Sequence, residues 1–65
     1  MYERIAELAR KNGLSICKLE QIANVANGTI GKWRSGKGAT VESVIKIAKA
    51  LDVSVDYLLG ITDEP

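Results

Sequence analysis

Residues 15–36, SICKLEQIANVANGTIGKWRSG, contain two short segments with helical spacing that are separated by only a few residues. The first segment begins at Ser15, whose hydroxyl can accept a hydrogen bond from an early backbone N–H group of a helix. Leu19, Ile22 and Ala23 follow at spacings of three and four, which place them on one face of a helix. These features predict a helix that begins after Ser15 and ends near Ala23, with those three residues facing inward.

A second helix is predicted from about residue 27 to residue 35, with Ile30 and Trp33 on its inward side. The turn before it is Asn24-Val25-Ala26, which is too short to reverse the chain easily. Two helices joined by so short a turn tend to cross at about 90–120°. We therefore predict a helix-turn-helix corner, closed on its inner side by apolar residues: Leu19, Ala23, Val25, Ile30 and Trp33.

Three further segments show helical spacing, and none shows the alternation of a strand. They are residues 2–12, ended by Gly13; residues 41–51, capped by Thr40; and a short helix after Ser54, ended by Gly60. The predicted fold class is therefore all-α, a compact bundle of five helices. Residues 1–60 should form one domain, and residues 61–65 should form a frayed tail.

Composition argues against several classes of function. The chain has 65 residues, a single cysteine, Cys17, and no histidine, so neither an internal disulfide nor the usual four-ligand zinc site can form. Because the commonest general base is absent, we expect no enzymatic activity. The sequence shows no sign of a cofactor or effector pocket, so we expect neither a cofactor nor a small-molecule ligand. No apolar run approaches the ~20 residues that span a membrane, and we expect no signal peptide. A free thiol without a role of its own fits a cytoplasmic protein.

Four stretches of the sequence together match a known family. They are NGLS at residues 12–15, KLE at residues 18–20, NGTIGKW at residues 27–33 and IAKALDVSVDYLLG at residues 47–60. On these motifs the chain, over about residues 3–60, resembles the Cro/CI-type (XRE-like) helix-turn-helix domain of phage repressors. The resemblance implies a five-helix bundle whose third helix lies in the major groove of operator DNA, usually in a homodimer.

The sequence departs from the family pattern around the turn. Glu20 stands where the family usually has a small residue. Asn24 stands where glycine is usual, and asparagine is the next-best residue for a left-handed backbone. Ala26 replaces a common capping serine, so the third helix should lose a cap of about 1 kcal/mol unless Asn27 takes that role.

The candidates for contacts with DNA bases lie at the start and on the outer face of the third helix: Asn27, Gly28, Thr29 and Lys32. Lys32 can donate to guanine, Asn27 can pair with adenine, and Thr29 can contact a thymine methyl group or a phosphate. Gly28 and Gly31 are poor helix formers and would let the backbone approach DNA closely. The alternatives are a solvated Lys32, Asn27 as a plain N-cap, and glycines that pack against another helix.

The candidates for phosphate contacts lie at both ends of the corner: Ser15, the backbone around Ile16, Lys18, Arg34, Ser35 and Lys37. Ser15 and Ile16 stand at a helix N-terminus, where free N–H groups suit a phosphate, although Ser15 can equally serve as a cap alone. Many family members pair an arginine of the first helix with a glutamate of the third. Those positions hold Ala9 and Arg34 here, so Arg34 is free to face DNA.

Apolar residues outside the corner predict the rest of the core and a contact between protomers. Trp33, on the inner side of the corner, should be buried in the core, and outside the corner Leu58 and Leu59 should close that core. Tyr57 and Ile61 add apolar area near the C-terminus. They are the candidates for a homodimer contact, because two-fold operators match two-fold proteins.

The formal net charge of +1 is the sum of two unlike regions. Residues 10–38 hold six cations against Glu20 alone, a net charge of +5, and the rest of the chain has a net charge of −4. The positive region coincides with the corner, as expected for a nucleic-acid-binding protein. With the family resemblance, this predicts a sequence-specific transcriptional regulator that binds double-stranded DNA, a repressor of phage or mobile-element type that excludes polymerase from an operator. The alternative is an antitoxin-like or regulatory module whose main partner is another protein.

Overall fold

The computed structural model describes residues 1–65 and contains five α-helices and no strand. They are α1 (Tyr2–Lys11), α2 (Ile16–Ala23), α3 (Thr29–Trp33), α4 (Val41–Leu51) and α5 (Val55–Leu59). The predicted all-α class and helix number are confirmed. The longest helix has 11 residues. None of the five helices has the length and apolar character of a membrane-spanning segment.

The core is a single cluster of ten buried apolar residues contributed by all five helices. They are Ile5, Ala9, Leu19, Ile30, Trp33, Val44, Ile47, Ala48, Leu51 and Leu58. Helix α2 packs against α4 and α1, and α5 closes the bundle against α4 and α1. Trp33 is only 4% exposed, so its predicted place in the core is confirmed.

Hydroxyl side chains cap three of the helices at the residues the sequence predicts. The Oγ atoms of Ser15 and Ser54 and the Oγ1 atom of Thr40 each accept a hydrogen bond from the backbone N–H three residues later, at 3.0–3.2 Å. Each cap satisfies a donor that the first helical turn leaves unpaired. These bonds explain why α2, α4 and α5 begin where they do.

Left-handed residues end three of the helices. Asn24 ends α2 with φ 60°, Asp52 ends α4 with φ 57°, and Gly60 ends α5 with φ 82°. Asparagine and aspartate tolerate this region better than other residues with a side chain. The left-handed backbone predicted for Asn24, at the position where glycine is usual, is confirmed.

Two residues that the sequence predicts in the core are on the surface instead. Ile22 is 52% exposed, and Leu59 is 49% exposed. The inward face of α2 follows Ile16, Leu19 and Ala23, and Ile22 lies outside this helical stripe. Leu59 points about 100° away from Leu58, which is fully buried, and in this short last helix that direction leads to the surface.

Helix α3 is shorter than the predicted span of residues 27–35. Gly28 is its N-cap with φ +90°, which no residue inside an α-helix adopts, and residues 34–36 form a turn after it. This left-handed backbone accounts for glycine at position 28, rather than a close approach made from inside a helix. Gly31 lies within α3 and has no such requirement.

The two glycines are expected to respond in opposite ways to alanine. A Cβ atom at Gly31 would meet nothing within 4 Å, so Gly31→Ala should raise the free energy of unfolding by about 0.8–1.0 kcal/mol. Gly28→Ala should lower it by about 1–2 kcal/mol, because φ +90° is unfavourable for a residue with a Cβ atom. Urea unfolding followed by circular dichroism measures both. Shifts of the same sign in the two variants would contradict this assignment.

Arg4 attaches the chain after α5 to helix α1. Its Nη1 atom donates to the carbonyl oxygens of Tyr57 and Thr62, each at 2.8 Å, and its Nη2 atom contacts the Asp63 carboxylate at 2.9 Å. The guanidinium also lies 4.4 Å from the centroid of the Tyr57 ring. The frayed tail over residues 61–65 stays a prediction, although Thr62 and Asp63 within it are bonded to Arg4.

Candidate nucleic-acid interface

Helices α2 and α3 form a corner around a turn of a few residues. The Val25 N–H donates to the Glu20 carbonyl at 3.0 Å, which ends α2 and redirects the chain. Leu19, Ile30 and Trp33 are buried on the inner side of the corner. The inner side of the predicted helix-turn-helix corner is therefore closed by buried apolar residues of both helices, with Ala23 and Val25 half-buried beside them.

Helix α3 presents a buried side and an exposed side. Ile30 and Trp33 are buried, whereas Gly31 and Lys32 are exposed. Thr29 is half-buried, and its Oγ1 atom donates to the Ala26 carbonyl at 2.6 Å. The exposed side of α3 therefore offers the Lys32 ammonium and, at Gly31, bare backbone.

Asn27 and Gly28 lie in the turn before α3 and not within the helix. The Asn27 Oδ1 atom accepts from the Cys17 Sγ atom at 3.7 Å, so the alternative in which Asn27 caps α3 is wrong. Both residues are exposed, and Cys17 is an exposed free thiol. Asn27 is therefore held beside α2, at the entrance to α3.

The Glu20 carboxylate caps α3 from the neighbouring helix. Its Oε1 atom accepts from the Gly28 N–H at 3.1 Å, and its Oε2 atom accepts from the Ile30 N–H at 2.8 Å. The residue is only 3% exposed, and a negative charge is favourable at a helix N-terminus. The expected loss of a cap at Ala26 is therefore wrong, because a residue from outside the turn supplies one.

Sequence patterns alone did not assign this function to Glu20. One signal was available: Glu20 is four residues from Ile16 and one from Leu19, so it belongs to the inward stripe of α2. A charged residue on that stripe needs a partner, since an unpaired buried charge is costly. Those partners, the N–H groups of α3, became apparent only in the folded chain.

The predicted phosphate contacts lie in two segments, one at the start of α2 and one after α3. Ser15, Ile16 and Lys18 lie at the start of α2, with Ile16 half-buried and the other two exposed. Arg34, Ser35 and Lys37 lie in the exposed segment after α3. The Ser35 hydroxyl donates to the Lys32 carbonyl at 2.9 Å, so this segment folds back on the end of α3.

Most of the positive charge in this region has no anionic partner. Lys11, Lys46 and Arg4 form ion pairs with carboxylates. The cations without an ion pair are Arg10, Lys18, Lys32, Arg34, Lys37 and Lys49, of which all but Lys49 lie within residues 10–38. The only carboxylate of that region, Glu20, is buried against backbone N–H groups. The surface of the corner is therefore cationic, and its charges are free to meet phosphates.

The two candidates for a contact between protomers differ in their exposure. Ile61 is 70% exposed, whereas Tyr57 is half-buried and stacked against the Arg4 guanidinium. Leu59, which was expected in the core, adds exposed apolar surface next to Gly60. Position 61 therefore offers the larger free apolar side chain of the predicted pair.

Comparison with known proteins identifies the family. Residues 5–58 match the model of a family described as helix-turn-helix. The chain is 30% identical over 64 residues to the "Uncharacterized HTH-type transcriptional regulator YobD" of Bacillus subtilis strain 168, covering 97% of this chain and 57% of that protein. It is 36% identical over 53 residues to a "Putative HTH-type transcriptional regulatory protein" of Methanospirillum hungatei JF-1, covering 82% of this chain and 17% of that protein.

The chain therefore spans just over half the length of the first relative and about a sixth of the second. No solved structure matches it significantly. The family match covers all of α2, α3 and α4, and therefore the whole corner, and most of α1 and α5. A DNA-binding family agrees with the exposed cationic surface around α3. The chain belongs to the XRE-like helix-turn-helix family of DNA-binding transcriptional regulators.

Proposed function

We propose that this chain binds a specific operator in double-stranded DNA, with the exposed side of α3 in the major groove, and regulates transcription as a repressor of the phage type. The observation that carries the proposal is the set of unpaired cations around a short helix that exposes Lys32 and the backbone of Gly31. In this arrangement the flanking cations contact phosphates and the helix contacts base edges.

The proposed base contacts are Asn27, Gly28, Thr29 and Lys32. Lys32 has no anionic partner, so its ammonium is available to guanine O6 and N7. The Asn27 amide is exposed beside α2 and can approach an adenine from the turn. The Thr29 hydroxyl already donates to Ala26, which favours its methyl group as the part that meets a thymine.

The proposed phosphate contacts are Ser15, Ile16, Lys18, Arg34, Ser35 and Lys37. The Ser15 Oγ atom accepts the Lys18 N–H, so its own hydroxyl proton remains free to donate to a phosphate. Arg34 is exposed and forms no ion pair, so its guanidinium is free to face a phosphate. These residues orient the domain on the duplex without specifying its sequence.

A repressor of this kind acts by occupancy, without enzymatic activity or a cofactor, in the cytoplasm where its DNA is. Binding to an operator that overlaps a promoter excludes polymerase from it. We propose that two copies bind together, with Tyr57 and Ile61 at the contact between them. The exposed apolar surface at Ile61 and Leu59 supports this proposal.

Replacing Lys32 by alanine is expected to weaken binding to the preferred duplex by about 1–3 kcal/mol and binding to random duplex far less. The reason is that a base contact contributes only at the right sequence. The preferred duplex is obtained by selection from a random pool, and affinities are measured by fluorescence anisotropy. A palindrome with half-sites about 34–36 Å apart would support the homodimer.

Lys49→Ala is the matched control, because Lys49 is also exposed and unpaired but lies on α4, outside the cationic region. Its affinities should equal those of the unmodified chain. An equal loss on preferred and random duplex for Lys32→Ala would make Lys32 a phosphate contact. Failure to select any preferred duplex would refute sequence-specific binding.

A further inference from the structure

Helix α3 is too short to be stable or to hold one orientation without contacts from the rest of the protein. It has five residues, its N-cap is Gly28, and no side chain of the turn caps it. Helices shorter than about 12 residues are not stable alone in water, so α3 depends on contacts from the rest of the protein. Its inward side has Ile30 and Trp33, but apolar contacts are non-directional and leave the rotation of the helix loosely defined.

The Glu20 carboxylate supplies the directional contact. Its two bonds, to the N–H groups of Gly28 and Ile30, are the only hydrogen bonds that join a residue of α2 to α3 or its N-cap. Both oxygens are engaged; the bond to the Ile30 N–H is buried, and the bond to the Gly28 N–H is partly buried. Two bonds from one planar group to two N–H groups restrict both the position and the rotation of the first turn of α3.

We propose that Glu20 is a positioning residue for sequence recognition. This inference rests on the proposed function. The Glu20 carboxylate fixes the angle between α2 and α3. Ser15 and Lys18 at the start of α2 would contact phosphates, and α3 would place Lys32 against a base. The carboxylate also occupies the free N–H groups at the start of α3, so the phosphate contacts fall to α2 and to the segment after α3.

Loss of this positioning should affect binding to bases more than binding to phosphates. Contacts with bases need α3 in one orientation, whereas flexible lysines on the surface can meet phosphates in many orientations. Loss of the Glu20 bonds should therefore weaken binding to the preferred duplex more than binding to random duplex. A purely structural role would instead lower both affinities by the same factor, through the unfolded fraction.

The test replaces Glu20 by glutamine, which keeps the shape of the side chain but offers one acceptor oxygen in place of two. The ratio of affinities for preferred and random duplex should fall about tenfold, the equivalent of one misplaced base contact. Removal of the negative charge changes the phosphate contacts with both duplexes alike, so this electrostatic effect cancels in the ratio of the two affinities. Glu42→Gln, on the exposed surface of α4, is the matched control and should leave the ratio unchanged.

Amide hydrogen exchange gives a readout that needs no DNA. In Glu20→Gln one acceptor oxygen remains for two N–H groups, so the Gly28 amide, the Ile30 amide or both should lose protection, while amides of α4 such as that of Ile47 keep theirs. A folded Glu20→Gln variant with an unchanged affinity ratio, or with the Gly28 and Ile30 amides both as protected as before, would overturn the inference. If the unmodified chain shows no preference among duplexes, the proposed function fails, and the exchange result still decides whether Glu20 positions α3.

A second variant covers the case in which Glu20→Gln does not fold. Glu20→Asp keeps the charge but shortens the side chain by one methylene, so its carboxylate cannot reach both N–H groups at their present distances. The affinity ratio should fall in the same direction as for glutamine. An unchanged ratio in a folded Glu20→Asp variant overturns the inference equally.

Discussion

Replacing Trp33 by alanine is expected to lower the free energy of unfolding by about 3–5 kcal/mol, the usual cost of removing a large buried aromatic side chain. Trp33 is almost fully buried, and with Ile30 it is the apolar attachment of α3 to the core. A chain of 65 residues buries a small core, so this loss is a large part of its total stability. Urea unfolding followed by circular dichroism at 222 nm measures it, since the variant has no tryptophan.

Two further variants test the reason for this effect. The Trp33 Nε1 atom is buried without a hydrogen-bond acceptor, so Trp33→Phe loses volume but no hydrogen bond and should cost clearly less than Trp33→Ala. Ile22→Ala, at an exposed position of α2, should change stability by less than about 0.5 kcal/mol. A Trp33→Ala variant as stable as Ile22→Ala would show that α3 is not held by this side chain.

Affinity for duplex DNA is expected to fall about 10³-fold between 50 and 200 mM salt if the protein binds as a homodimer. Three of the proposed phosphate contacts in each protomer are cations, Lys18, Arg34 and Lys37, and each phosphate neutralised releases counterions. Six such contacts give a slope of about −5 in log K against log salt. A single protomer, with three contacts, gives about half that slope and only about a 40-fold loss.

Binding titrations on the preferred duplex at four or more salt concentrations measure this slope. Lys37→Ala should reduce it by about one for each protomer bound, and Lys49→Ala should leave it unchanged. A slope near zero, or no binding at low salt, would contradict a DNA-binding function. It would favour the alternative in which the domain is an antitoxin-like or regulatory module that binds another protein.

Much of the fold was predictable from short-range patterns. Ser15, Thr40 and Ser54 were predicted as caps, and each forms the expected bond. Asn24 was predicted to take a left-handed conformation, and it does so. The candidate site was predictable in outline for the same reason, because the cationic residues are concentrated in one continuous stretch of the chain.

The errors concern residues whose positions depend on distant neighbours. Ile22 and Leu59 have apolar side chains suited to a core, but each points to the side of the helix face that packs inward. The predicted span of α3 was too long, because the left-handed conformation of Gly28 cannot be read from helical spacing. The side chain that caps α3 is that of Glu20, in the preceding helix, and not that of Asn27 in the turn.

Local sequence was sufficient for the number of helices, their caps, most of the core and the location of the cationic region. These features repeat or bond within one helical turn, so residues three or four apart reveal them. Tertiary packing alone established the partners of Glu20, eight and ten residues away, and those of Arg4, more than fifty residues away. Such bonds depend on how the helices meet around the core, and no spacing within one helix contains that information.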